Sequence, residues 1–470
     1  MLVEGRSPWV PSARARVLGS VFCLLLGACA SMEKERGHDD VSRLVAERTG
    51  RGTGWQKGEP AQRAIEQRVH ELLAPGLTKE RATQIALLNN PHLQQVYADL
   101  DVSQADLVQA GLLSNPTLSG SVGFHVGGPG HLEYEGSLVQ SFLDIFLLPM
   151  RKRIAKEQFL AATLRVAHEA LAVSAEVSRA LVEVQATEQM VALQQSTAFA
   201  GEATAMLARS QFEAGNISQR MLSTESANSE QERLDFERSK LELVERREHL
   251  NRLLGLWGDQ VAWRVAGPMP ALPALDPAPE QLENIAMRQR LDVAAARAQN
   301  ELLADALGVA RSSRYTGVVN IGVHAHQDAD GAQLLGPTLS LELPIFDQRQ
   351  AMIGRLDAQR RQAGRRLEEL AVDARSEVRV ASAKLAAARE ASERYARRLL
   401  PQRAIELEQT QLEYNAMQIG LYELVQTKKE QLAATREYFS ALRDYWVARA
   451  DLESAVGGRI PDVVTKGGPR

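Results

Sequence analysis

Residues able to carry out catalysis are present in this chain, but not at the spacings that known reactions need. His168 and Glu169 begin like the zinc-binding helix of a metalloprotease, yet Ala172 occupies the position of the second histidine. The glycines between Gly50 and Gly54 lack the spacing of a phosphate-binding loop, and no predicted strand precedes them. No Gly-x-Ser-x-Gly nucleophile motif occurs either. We therefore expect no enzyme activity and no cofactor.

Three histidines are the remaining candidates for metal chemistry. His125, His324 and His326 lie at the ends of predicted strands, on the parity of small polar residues, next to loops at 126–131 and 327–331. In a symmetric oligomer they would form rings of imidazole, a group that binds transition metals. No carboxylate or thiolate at ligand spacing accompanies them, so we expect hydrated histidines rather than a metal site.

Cys29 is the side chain whose surroundings predict a covalent modification. Two arginines and the short apolar run 17–26 lead to a small pair of residues directly before Cys29. This arrangement resembles a bacterial lipobox, in which the cysteine is acylated and becomes the first residue of the mature chain. It predicts a signal peptide over 1–28 and, because Ala30 rather than aspartate follows, the outer membrane of a Gram-negative cell. An ordinary secretory signal with a chance cysteine is the alternative.

Composition excludes several classes of protein. A net charge of −4 over 470 residues argues against a nucleic-acid partner. Cys23 would leave with the signal peptide, so the mature chain has no pair of thiols to form a disulfide bond. No later segment has the run of about 18 uncharged apolar residues that a membrane-spanning helix needs. Any membrane-spanning part must therefore be built from β-strands.

The mature chain contains an internal duplication with a period of about two hundred residues, far longer than that of solenoid repeats. Corresponding segments are Ile85–Leu93 with Ile285–Val293, Phe142–Asp144 with Ile345–Asp347, and Phe212–Ser218 with Tyr414–Gly420. In each copy the hydrophobic periodicity predicts a medium helix, two short strands, a very long helix, a tight break and a second medium helix.

The domain boundaries follow from this duplication. The repeats are expected at 78–257 and 280–456, joined by a Pro-rich linker at 258–279 that cannot continue a helix. The polar segment 29–77 is predicted to be an extended N-terminal arm, and 457–470 a flexible tail.

Four segments alternate large apolar residues with small polar ones, as strands with one apolar face do. They lie at about 116–125, 133–142, 317–326 and 334–343. In the fourth, Leu339, Leu341 and Leu343 share one face and Glu342 lies on the other. About ten alternating residues is the length that a tilted membrane-spanning strand needs. Half-buried strands of a soluble sheet are the alternative.

Geometry then favours an oligomer. Four strands cannot close a barrel, and an open sheet edge cannot face lipid, where unpaired backbone groups are too costly. Spanning barrels have at least about eight strands, so identical subunits would share one, and three copies would supply twelve. The long helices predicted near 151–212 and 349–414 would each be about 90 Å long, a length on the scale of the periplasm.

Together the lipobox, the duplicated unit and the break at Phe212–Ser218 resemble the TolC-type outer-membrane efflux proteins. The most specific segments are Asn89-Asn90-Pro91, Asn115-Pro116-Thr117-Leu118, and Gly336-Pro337 followed by Leu343-Pro344-Ile345-Phe346-Asp347. The resemblance implies a mainly α protein with a small β part, forming a homotrimer whose twelve-stranded outer-membrane β-barrel continues into a twelve-helix periplasmic α-barrel. It implies a passive exit duct for drugs, metal ions or other small solutes. The implied partners are a periplasmic adaptor (a membrane fusion protein), an inner-membrane transporter and outer-membrane lipid.

The resemblance also implies that the two helix breaks form periplasmic tips where adaptor hairpins dock. The predicted tip residues are Gly215, Asn216, Ile217 and Ser218 in the first copy and Gln418, Ile419 and Gly420 in the second. Because Met417 stands where the first copy has Gly215, we expect Gly420 to supply the flexibility of the second turn.

By the same resemblance, the helix after the second break closes the resting channel. Gln418, Tyr422 and Gln426 are spaced by four residues and would share one stripe of this helix. Tyr422 is the predicted constriction, and packing of its ring between helices is the alternative.

Two other classes of protein are the alternatives. A periplasmic coiled-coil adaptor would have one helical hairpin flanked by compact β-rich domains, whereas this chain predicts two hairpins. A structural coiled-coil lipoprotein without a pore would not need the alternating strands.

Overall fold

The computed structural model describes residues 36–124, 133–276, 281–315, 317–327 and 331–460. The described chain is mainly helical with a small antiparallel sheet, which confirms the predicted fold class. The helices are α1 Arg36–Thr49, α2 Glu59–Leu73, α3 Lys79–Asn89, α4 Pro91–Ala110, α5 Leu143–Glu213, α6 Gln219–Leu254, α7 Leu282–Gln289, α8 Leu291–Ser312, α9 Gln350–Arg394, α10 Leu400–Asn415 and α11 Leu421–Val456. The strands are β1 Thr117–Gly123, β2 Glu133–Ser141, β3 Val319–Gln327 and β4 Gln333–Leu341. Cys29 and His125 lie outside the described residues.

The elements occur twice in the same order, as the duplication predicts. The joint between the first two helices of each copy even has the same backbone: φ −64° and ψ 121° at Asn90, φ −65° and ψ 122° at Arg290. Pro91 accounts for the first break, because the residue before a proline avoids the helical conformation. The medium helix predicted at the start of the first copy is therefore two helices, α3 and α4.

The long helix of the first copy, α5, begins at Leu143, eight residues before the predicted start. In the second copy a single π-helical turn, Tyr395–Leu399, separates α9 from α10 just before Pro401. A proline inside a helix removes one hydrogen bond and crowds the preceding turn, and the wider π turn accommodates it.

The prediction of an extended arm was wrong for α1 and α2. Val41 and Val45 in α1, and Ile65 and Val69 in α2, are spaced by four residues and buried in the core. Each pair forms a short apolar stripe, which is sufficient for a packed helix even in a polar segment. Ile460 is also buried and Arg459 N donates to Arg48 O (2.9 Å), so the predicted flexible tail does not begin at 457.

The chain has two compact units. One holds the sheet and includes Gln104–Ala155 and Tyr315–Phe346; the other includes Gly37–Ser103, Lys156–Arg314 and the helices after Asp347. The helical unit has the apolar core. Its largest fully buried side chains include Leu77, Ile85, Leu87, Leu93, Tyr97, Leu181, Leu250, Leu254, Leu291, Tyr445 and Leu452. Among the described residues, no helix has both the length and the apolar character needed to cross a bilayer.

The described part of the linker is fixed to both repeats. Trp263 is buried, and its Nε1 donates to Asn251 Oδ1 of α6 (2.7 Å). Asp276 accepts hydrogen bonds from Tyr445 Oη (2.6 Å) and Arg389 Nη1 (3.0 Å). Burial, and then the hydrogen bond to Asp276, raise the pKa of Tyr445 to about 12.

Candidate functional site

The four strands form one sheet in the order β1-β2-β3-β4, antiparallel throughout. The strand register mostly places apolar residues opposite apolar residues, and small or polar residues opposite small or polar residues. One row consists of Leu118, Leu138, Val323 and Pro337, and the neighbouring row of Ser119, Ser137, His324 and Gly336. Because side chains alternate between faces along each strand, these rows lie on opposite faces.

One face is apolar on every strand, and it is exposed. Leu118 is 79% exposed and Leu339 is 72% exposed. The full set of exposed apolar side chains on this face is Leu118, Val122, Tyr134, Leu138, Ile321, Val323, Leu335, Leu339 and Leu341. A patch of this kind on a soluble protein would be an aggregation liability, so it indicates a surface that contacts lipid or another apolar partner. The outer edges of β1 and β4 have no partner strand within the described sheet.

The opposite face is mostly polar, with the exposed Leu334 beside His326 as an exception, and it has its own hydrogen bonds. The Oγ atoms of Ser119 and Ser137 lie 2.7 Å apart, and Ser121 Oγ donates to Glu135 Oε2 (3.2 Å). His324 Nε2 lies 3.0 Å from Glu135 Oε1, and the rings of His324 and His326 stack with centroids 6.1 Å apart.

Glu135 is a residue that the sequence reasoning missed. The strand pairing places it opposite His326 and within reach of His324, although about 190 residues separate them in the chain. A carboxylate does therefore accompany the histidines. Even so, no group of three or more histidine, cysteine or acidic residues in the described chain is arranged to hold a metal ion.

The two helix breaks have the same backbone geometry. Gly215 (φ 75°) and Met417 (φ 56°) are both left-handed residues that end a helix. At the first break Asn216 N donates to Gln211 O (2.8 Å), and at the second Gln418 N donates to Glu413 O (2.9 Å). This is the Schellman arrangement, which normally uses glycine at the left-handed position.

The prediction that Gly420 supplies the flexibility of the second turn was wrong. Met417 itself adopts the left-handed conformation, at the steric cost of its Cβ, while Gly420 is extended (φ −86°) and precedes α11. The second break also lacks the cap of the first, where Ser218 Oγ accepts from Met221 N (3.3 Å). Met417 is 93% exposed, so an apolar side chain projects from the second break only.

The prediction that Gln418, Tyr422 and Gln426 share one stripe of the helix after the second break was partly wrong. Gln418 lies in the turn before α11, so only Tyr422 and Gln426 share the helix. Tyr422 is half-buried and its Oη donates to Gln211 Oε1 of α5 (3.0 Å), which joins the two hairpins near their breaks. Burial, and then the charge of Glu225, raise the pKa of Tyr422. Gln426 is exposed and donates to Glu430 Oε1 (3.1 Å).

A second link between the hairpins lies one helical turn beyond Gln426. Lys429 Nζ of α11 is 2.8 Å from Glu232 Oε1 of α6, and both side chains are largely buried. Gly201 of α5 leaves room for this carboxylate, since a Cβ there would lie 1.7 Å from Glu232 Oε2. Gln211 and Glu232 could not be paired with α11 from the sequence, because about 200 residues separate the partners.

Several known proteins resemble this chain in sequence or in fold. The outer membrane efflux protein family matches residues 82–256. A membrane protein from Pseudomonas aeruginosa is 20% identical with a TM-score of 0.69, over 81% of this chain and 92% of that chain. The CmeC outer membrane channel of Campylobacter jejuni is 14% identical with a TM-score of 0.65, over 87% and 89%. The outer membrane protein VceC of Vibrio cholerae is 15% identical with a TM-score of 0.64, over 84% and 96%. No curated protein sequence matches the chain.

The chain therefore has the fold of these solved outer-membrane proteins. The model of the outer membrane efflux protein family matches the first repeat, in agreement with the resemblance predicted from the sequence.

Proposed function

We propose that three copies of this chain form the passive exit duct of a tripartite efflux system. The observation that carries the proposal is the sheet, with one apolar face, one polar face and two open edges. An open edge is too costly in lipid, and four strands are too few to close a barrel. Pairing β4 of each copy with β1 of the next would remove all edges and close twelve strands.

In this arrangement the apolar face contacts lipid, and the polar face with Glu135, His324 and His326 lines the lumen. The helical hairpins of the three copies form the twelve-helix periplasmic barrel. Exposed apolar side chains on the hairpins support contacts between copies, since Leu234 and Leu241 lie two helical turns apart on α6 and Val372 and Val380 lie on α9.

The helix breaks are the proposed docking tips for a periplasmic adaptor, and an inner-membrane transporter supplies the energy. The residues concerned are Gly215, Asn216, Ile217, Ser218, Gln418, Ile419 and Gly420. The geometry that supports this is the shared Schellman turn, which exposes both breaks. Cys29 is the proposed lipid anchor, as predicted from the lipobox alone.

Tyr422 is the proposed constriction of the resting aperture. Its hydrogen bond to Gln211 and the Lys429–Glu232 ion pair both tie α11 to the first hairpin. Opening would break these links and move α11 outward. Gln426 and Gln418, both exposed, would line the aperture beside Tyr422.

The membrane orientation of the sheet is tested by neighbouring substitutions on its two faces. Leu339→Arg places a charge on the apolar face and should cost about 2–4 kcal/mol per subunit if the residue lies near the bilayer midplane. Ser340→Arg, the matched control on the polar face, should insert normally and change ion selectivity. Outer-membrane content and conductance in planar bilayers are the measurements.

Equal insertion of both variants would contradict the proposed lipid-facing side. Absence of any conductance from the parent protein, under all pH values and with an adaptor present, would favour the two rivals: an adaptor, or a structural lipoprotein without a pore.

A further inference from the structure

The helical unit contains a cavity of about 200 Å³ whose walls come from α1, α3, α5 and the end of α11. None of the residues assigned to the duct lines it. Its charged lining residues are Arg48, Arg51, Lys79, Arg459, Glu80 and Glu453. Four cationic groups thus face two carboxylates, which leaves an excess of two positive charges. We refer to it as the basic cavity.

The cationic groups of the basic cavity are incompletely neutralised by the protein. Lys79 Nζ forms an ion pair with Glu453 Oε2 (2.7 Å). Arg48 instead donates to two backbone carbonyls, Gln289 O (3.1 Å) and Leu44 O (3.0 Å). Its ion-pair contact, with the exposed Glu47, is longer at 3.7 Å.

Arg51 and Arg459 are less well paired still. Within the described chain neither has a carboxylate at ion-pair distance, and Arg51 Nε is buried without a hydrogen-bond partner. A buried polar group without a partner costs about 1–3 kcal/mol, and more when it is charged. A bound ion or water would satisfy such a group.

Two glycines leave the space in which two of these arginines lie. A Cβ at Gly50 would meet Arg459 Nη1 at 2.9 Å, and a Cβ at Gly458 would meet the Cβ of Arg48 at 2.9 Å. The backbone bond from Arg459 N to Arg48 O (2.9 Å) holds the two segments together. The fold therefore holds the two arginines side by side, with Arg48 partly buried and Arg459 exposed.

We propose that the basic cavity binds a small oxyanion with two negative charges, of the phosphate class. Guanidinium groups form strong, charge-assisted hydrogen bonds to phosphate oxygens. The excess of two positive charges matches a dianion. The volume is sufficient for one small ion with several waters.

The test is titration of the full-length protein with inorganic phosphate by calorimetry, at constant ionic strength set with chloride. Phosphate should bind and should raise the unfolding temperature relative to chloride. Arg51→Gln should weaken binding about tenfold or more, because it removes a charge-assisted hydrogen bond. Arg63→Gln, an exposed arginine of α2 paired with Glu59, is the control and should leave binding unchanged.

Glu80→Gln provides a test that misfolding cannot imitate. Removing this carboxylate from the lining should tighten phosphate binding several-fold, because it removes a repulsive charge. Absence of phosphate binding beyond that of chloride would overturn the proposal, as would equal binding by the parent, Arg51→Gln and Glu80→Gln. Binding of anionic phospholipid vesicles through Arg51 without binding of inorganic phosphate would also overturn it, in favour of a lipid headgroup site. None of these readouts requires a working channel.

Discussion

At the scale of single residues, the two helix breaks place different side chains in one backbone conformation. Gly215 adopts the left-handed region without a steric cost, whereas Met417 adopts it with a Cβ. The exposed side chain of Met417 gains little packing in return.

Met417→Gly is therefore expected to increase the free energy of unfolding by about 1 kcal/mol. Gly215→Ala is the converse change and should decrease it by a similar amount. Denaturant unfolding at a fixed subunit concentration measures both. Destabilisation by Met417→Gly would mean that the methionine makes contacts in the assembled protein that outweigh the backbone strain.

Tyr422 allows the hydrogen bond and the ring to be tested separately. Tyr422→Phe removes the bond to Gln211, worth about 0.5–1.5 kcal/mol, and should raise resting conductance modestly. Tyr422→Ala removes the ring too and should raise it further. Tyr438→Phe, elsewhere on α11, is the control and should conduct like the parent. If both Tyr422 variants assemble and conduct no more than the parent, the constriction lies elsewhere.

The face on which a residue lies was predictable from the sequence, because local pattern determines it. A contact with a residue distant in the chain was not. The alternation that put His324 with small polar residues was a local signal, and the observed register agrees with it. Glu135 as its neighbour depends on strand pairing across most of the chain. The same is true of Gln211 beside Tyr422, because helix packing, not spacing, brings them together.

At the scale of elements, Arg290 lies at the joint between α7 and α8 and links it to two other helices. Its guanidinium is buried, donates to Asp292 Oδ2 (2.7 Å) and to Ala455 O of α11 (3.3 Å), and pairs with Glu377 of α9. The equivalent joint of the first copy uses Asn90, whose Nδ2 donates to Leu253 O (2.7 Å). Ion pairs of Arg290 thus stabilise the joint of the second copy, whereas the side-chain amide of Asn90 stabilises that of the first.

Asp292→Asn should therefore destabilise the protein by about 1–3 kcal/mol at neutral pH, since it leaves a buried guanidinium with one acidic partner fewer. Glu368→Gln, in an exposed ion pair with Arg365, is the control and should change stability by less than about 0.5 kcal/mol. An effect of Asp292→Asn no larger than that of the control would mean that Glu377 alone satisfies Arg290.

The same pair predicts a dependence on pH. Burial would raise the pKa of Asp292, but the hydrogen bonds and charge of Arg290 outweigh burial and hold that pKa below its usual value. The folded pKa is the lower one, so the contribution to stability is complete above the ordinary pKa of about 4 and is lost as pH falls further. Unfolding of the parent should therefore be more acid-sensitive than unfolding of Asp292→Asn.

At the scale of the whole molecule, the order of elements was predictable because the chain repeats it and because long amphipathic helices have a strong periodic signal. The arm was not, since α1 and α2 each depend on only two buried valines or isoleucines that pack on distant helices. The basic cavity has no sequence signal at all. Arg48, Lys79 and Arg459 meet only because both ends of the helical unit pack together.

The open edges of the sheet have a consequence for genetics. If no subunit can enter lipid alone, subunits mix before insertion, and one defective copy damages the assembly that contains it. With parent and Leu339→Arg subunits expressed equally, only about one eighth of the proposed trimers, assembled at random, contain no variant. The variant allele is therefore expected to be dominant, and efflux in the mixed strain should fall to about one eighth rather than one half. A fall to one half would mean that each subunit inserts independently of the others.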